Sequence, residues 1–173
     1  MRTYFIVATG IASLGLLVVV AARAADSYGV AGEQLLTVKG KVVDLTCELA
    51  HDCVADCGNG KRPLGLLTGD GKLYVAAKSN TIFAGLGHDL KAYCGKEITA
   101  DGLTTTNYGS TLLMIQRFKE SDTADWVETS QFALDWAKQH NADPSGKTTE
   151  EWYRSDLTVK RAVLKRGKTG LDE

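Results

Sequence analysis

Four cysteines constrain this chain more than any other feature. Three of them share one short stretch with a histidine, CELAHDCVADCG, which holds Cys47, His51, Cys53 and Cys57. The fourth, Cys94, lies well downstream. A segment so dense in sulfur is either cross-linked or a ligand set, and the compartment decides which comes first. In an oxidising compartment an even number of cysteines reads as a disulfide framework, whereas in a reducing one the same spacing reads as metal or redox chemistry.

The N-terminus speaks to the compartment. MRTYFIVATGIASLGLLVVVAARAAD carries an early charge at Arg2, a long apolar run and the small-residue pattern Ala22-Arg23-Ala24. That is the layout of a secretory signal over residues 1–24, with a mature chain from about Ala25. The run from Tyr4 to Ala22 is long enough to serve as an uncleaved anchor instead. Either form predicts an exported, periplasmic chain. Removing residues 1–24 leaves 149, enough for one domain with a modest core. Arg2 and Arg23 leave with the signal, so the formal charge moves from −1 to −3. A mildly acidic exported domain lacks the positive charge that non-specific nucleic-acid binding needs.

Residues 25–34, ADSYGVAGEQ, read as a flexible lead-in. LLTVKGKVVDL then has strand character, and the turn cluster GNGKRP closes the cysteine stretch. LGLLTGDGKLYVAAK predicts a hairpin turning at Gly69-Asp70-Gly71. NTIFAGLGHDLKAYCG places Ile82, Leu86, Leu90 and Tyr93 at helical spacing, with Gly95 as the stop. KEITADGLTT and STLLMIQRFKE add two strands around NYGS. The expected fold is therefore mainly β: five strands with one helix inserted between the third and fourth, the order of an OB-fold barrel, over residues 35–120.

VKGKVVDLTC, PLGLLTGDGKLYV and GKEITADG together resemble small exported bacterial OB-fold proteins that bear Cys and His in the first connection. The resemblance covers about Leu35–Glu120. It implies the barrel and an envelope location, and nothing specific about activity.

In such a barrel the first and fourth strands pair antiparallel, so the end of the first lies near the start of the fourth. This predicts a Cys47–Cys94 disulfide, which would leave Cys53 and Cys57 at C-x3-C spacing. On a helical turn capped by Asp52 and stopped by Gly58, those two would share a face too far apart to bond but able to converge on a metal. With His51 they would suit copper or zinc. The spacing is similar to the C-x3-C motif of Sco-type copper chaperones, although Gly58 stands where that family has proline. Two plain disulfides are the leading expectation for the four cysteines, with a bound metal and a reversible dithiol pair at Cys53 and Cys57 as the alternatives.

From Ser121 the composition shifts. TADWVETSQFALDWAKQHN predicts an amphipathic helix, and TTEEWYRSDLTVKRAVLKRG a second one opened by Thr148-x-x-Glu151. Residues 121–173 thus read as a helical hairpin packed on the barrel. It holds all three tryptophans, Trp126, Trp136 and Trp152, which are candidate anchors for a protein partner. The basic run from Arg154 to Lys168 reads as a solvated helix face, or as a contact for an anionic surface. His88 and His140 have no ligand-spaced partner in sequence. No hydrolase elbow, zinc-protease motif or phosphate loop is present, so no residue nominates itself as catalytic. The functional expectation is a non-enzymatic envelope accessory protein, with metal handling or thiol redox at Cys53 and Cys57 as the alternative. No cofactor is required by the first reading.

Overall fold

The computed structural model describes residues 25–78 and 85–167. Residues 1–24, over which a signal or anchor is expected, Ile82 and residues 168–173 lie outside the described residues. The chain order is β1 (Gln34–Asp44), α1 (Leu45–Ala50), β2 (Leu64–Leu67), β3 (Leu73–Lys78), α2 (Leu86–Leu90), β4 (Glu97–Asn107), β5 (Ser110–Lys119), β6 (Val127–Glu128), α3 (Gln131–His140), α4 (Lys147–Glu150), α5 (Trp152–Ser155) and α6 (Leu157–Arg166).

Antiparallel neighbours β3-β2-β1-β4-β5 are closed into a barrel by a parallel pairing of β3 with β5. This is the expected OB-like five-stranded barrel with its helix between the third and fourth strands. Inward positions of the alternating strands fill it: Val42, Leu66, Ile98, Leu113, Ile115 and Phe118 are all buried. The β4–β5 hairpin turns through Tyr108 and Gly109, both at positive φ, the two-residue turn whose twist matches the flanking strands. At Gly102 the register slips by one residue against β5, and a Cβ there would lie 2.0 Å from the Met114 carbonyl oxygen. Only glycine allows the two backbones to meet so closely at this bulge.

The extension departs from the expected hairpin in its first turns. Residues 123–130 are not helical: Val127 and Glu128 form β6, paired to Phe118 and Arg117 of β5. β3 leaves the edge of β5 at Ile115, and β6 takes up the same edge two residues later. The β-branched Val127 and Thr129 suit that position better than a helix. Thr129 donates its hydroxyl to Ile115 O at 2.9 Å and its N–H to Gln116 O at 2.9 Å. The expected capping box is also absent. Gly146 precedes α4 without a side-chain cap, and Thr149 turns its hydroxyl to Asp143 O. The N-cap that does form is Asp156, which accepts from the N–H groups of Thr158 and Val159 at the start of α6.

One buried ion pair lies where the extension meets the barrel. Lys78 is the last inward position of β3, after Tyr74 and Ala76, and its side chain is wholly buried. Its ammonium lies 3.0 Å from Asp89 Oδ2 on α2, also wholly buried. The other oxygen of Asp89 accepts the Phe132 N–H of α3 at 2.8 Å. A single carboxylate thus neutralises a barrel lysine and caps the first helix of the extension.

Candidate functional site

The first connection, residues 45–63, carries most of the residues that the sequence singles out. Asp44 ends β1 and caps α1, accepting from Thr46 N at 2.8 Å and Cys47 N at 3.4 Å. α1 ends at His51, which sits in the left-handed region (φ 58°) with its N–H on Cys47 O. Val54 is extended, and the chain then makes a left-handed turn. Asp56, Cys57, Gly58 and Asn59 have φ of 50°, 47°, 66° and 51°, followed by Gly60 at 79°. L-residues resist that conformation, each at a cost of about 1–2 kcal/mol, and only Gly, Asn and Asp adopt it with ease.

Cross-links hold this turn. Cys57 is buried and bonded to Cys94, while Cys47 is bonded to Cys53 within the connection. No free cysteine is present among the described residues. The expected Cys47–Cys94 bridge therefore does not form. The strand geometry behind it holds, since Cys94 bridges to Val42 and Gly95 N–H bonds to Val42 O. But α1 begins directly after β1 and carries Cys47 towards Cys53, and the left-handed turn brings Cys57 to Cys94 instead. Arg62 adds a clamp, donating to Asp52 O at 2.8 Å and Asp52 Oδ2 at 3.0 Å, with Asp44 Oδ2 at 3.8 Å.

The proposed ligand trio is accordingly dispersed. Cys53 and Cys57 do not share a right-handed helical turn, Asp52 does not cap one, and each sulfur belongs to a different disulfide. His51 is exposed. No group of three or more His, Cys, Asp or Glu side chains that could hold a metal comes together among the described residues. The connection presents two apolar side chains outward, Leu49 at 69% exposed and Val54 at 43%, among exposed polar ones that include Glu48, Asp52, Asp56 and Lys61.

The tryptophans are spent largely inside the extension. Trp136 is buried, stacks on His140 with ring centroids 4.2 Å apart and donates Nε1–H to Asp156 at 3.1 Å. That bond holds the Asp156 carboxyl below the usual range, helped by the Val159 and Thr158 amides. Trp152 is half-buried and meets Phe132 edge-on at 5.0 Å. Trp126 is half-buried under the Arg117 guanidinium, 4.6 Å from its ring centre, and the Lys119 ammonium at 5.2 Å. Arg117 in turn pairs with Asp101 at 2.9 Å. His88 bridges α2 to α3 through Asp135 at 2.8 Å. The aromatic signal in the sequence thus marks a small core. The exposed large apolar side chains of the extension are Leu134, Tyr153, Leu157, Val163 and Leu164 among the described residues.

Comparison with protein-family models, curated proteins and solved structures finds no match. Among the described residues no helix is long and apolar enough to cross a membrane.

Proposed function

We propose that this chain is an exported cell-envelope accessory protein that acts by protein–protein contact, with the first connection as its recognition element. The observation that carries the reading is the left-handed turn Asp56–Gly60, held by the Cys57–Cys94 bridge beside the exposed Leu49 and Val54. A strained loop that surrounding structure over-determines is a mark of function, and a loop fixed in advance loses little entropy on binding. By fold analogy the first connection is one of the loops that OB barrels use for ligands. Two disulfides suit the oxidising compartment that the N-terminal segment and the likeness to exported OB-fold proteins suggest. The alternative, copper or zinc handling or thiol redox by Cys53, Cys57 and His51, is less well supported, since freeing both thiols requires opening both bridges.

The test is a pair of variants, Leu49→Asp with Val54→Asp, expressed in the native host. Complexes in the envelope fraction are then sized after mild cross-linking. The reading expects the wild-type complex to collapse to monomer while both disulfides persist. A complex of unchanged size refutes it. Replacing Cys47 and Cys53 with serine tests the alternative, which expects lost metal content or thiol activity with the barrel intact.

A further inference from the structure

We infer that α6 is a membrane-surface element that seats the molecule on an anionic lipid leaflet. The inference concerns a different surface from the first connection and stands or falls separately. No residue of α6 is buried. Along one stripe at i, i+3, i+4 and i+7 it carries Leu157, Lys160, Arg161 and Leu164, with the leucines 62% and 86% exposed. Beside the stripe, Val159, Val163 and Tyr153 of α5 line an open trough of about 750 Å³.

Charge identifies what covers this face. Residues 154–168 hold six of the 20 basic residues and one of the 21 acidic ones, a formal +5 against −6 for the rest of the chain. Such a molecule turns α6 towards an anionic surface; the acidic excess lies in residues 121–153, with two basic and seven acidic residues, while the barrel over 35–120 is nearly neutral with ten and nine. The stripe then selects lipid over protein. A protein interface packed on Leu157 and Leu164 would desolvate the Lys160 and Arg161 charges between them, and interface cores are depleted of lysine. A bilayer boundary takes both kinds of side chain at once. The leucines enter the acyl edge, while the lysine and arginine stems lie along it and keep their charges among the phosphates. Tyr153, 43% exposed with Arg154 over its ring at 5.6 Å, suits the headgroup level.

The experiment is co-flotation of the chain from Ala25 onward, which keeps the barrel and extension without the apolar N-terminal run. The probes are vesicles of phosphatidylcholine alone and vesicles with about 30% phosphatidylglycerol. The expected result is binding only to the anionic vesicles, lost at about 1 M salt. Lys160→Gln with Arg161→Gln should weaken it by about twenty-fivefold, about fivefold per charge. Leu164→Ser should weaken it by about tenfold. Lys39→Gln, an exposed barrel position, should change it little. Because Lys160, Arg161 and Leu164 are exposed, these variants keep the barrel fold, which near-ultraviolet circular dichroism checks. The inference is overturned if the chain stays in the buffer, as an acidic protein partner for this face would predict. It is equally overturned if neutral vesicles bind as well, or if Lys39→Gln weakens binding as much as the α6 pair.

Discussion

Replacing Asp89 with alanine removes two things at once: the counter-charge 3.0 Å from Lys78 and the acceptor 2.8 Å from the Phe132 N–H. Both side chains of the ion pair are wholly buried, so water cannot take over for the lysine without opening the structure. Breaking such a pair from one side costs about 3–5 kcal/mol, and a lost helix cap about 1 kcal/mol. The expected loss is therefore about 4–6 kcal/mol, a large part of the roughly 5–15 kcal/mol that holds a typical domain together. At about 2–4 °C per kcal/mol for a chain of this size, the thermal midpoint should fall by roughly 10–20 °C. Urea and thermal unfolding of the oxidised protein measure this directly. Asp89→Asn separates the two contributions, because it keeps an acceptor for Phe132 and loses only the charge; it should lose about 3–5 kcal/mol. Lys78→Met combined with Asp89→Leu should be less harmful than Asp89→Ala, since no unpaired charge is left behind. The extension should also loosen, with faster proteolysis between Ser121 and Ser130 in Asp89→Ala than in the native protein. A loss below about 1 kcal/mol in Asp89→Asn, or a double variant as damaging as the two single ones together, would refute the reasoning.

The two disulfides should differ in weight. Cys57 and Cys94 are 37 residues apart in sequence and Cys47 and Cys53 only 6, so loop-closure entropy gives about 4 against about 2 kcal/mol. Paired serine substitutions followed by urea unfolding should reproduce that order, and equal losses would contradict it. Asp156 should confer a pH dependence. Its carboxyl is held low in the folded state by the Trp136 Nε1–H, so its contribution is full at neutral pH and fades as pH falls through the lowered value. Asp156→Asn, which can still cap α6, should therefore be less stable than native at about pH 7 and indistinguishable at about pH 2. A gap that persists in acid would show that the charge is not what matters.

The barrel was legible because its information is local and repeated. Alternation along VKGKVVDL, LGLL and STLLMIQRF marks one buried face per strand, and the order of strands and helix leaves few ways to close them. Even the buried lysine has a local sign, since Lys78 falls on the inward phase of LYVAAK with Tyr74 and Ala76. What the sequence hides is where non-local partners override a local pattern. Val127, Glu128 and Thr129 lie in a window that reads as amphipathic helix, yet the edge of β5 vacated by β3 takes Val127 and Glu128 as strand and hydrogen-bonds Thr129. The cysteine pairing was hidden for a related reason. It turns on the handedness of five residues, and right-handed turns are the default for an L-chain. The sign was present in DCGNG, where Asp56, Gly58, Asn59 and Gly60 all tolerate positive φ and Cys57 alone resists it. A disulfide at the one intolerant position of a left-handed turn is what makes the turn persist. The Cys57–Cys94 bond therefore sets the shape of the loop as well as its stability, and reducing it should release Asp56–Gly60 to the right-handed region while β1–β5 remain closed.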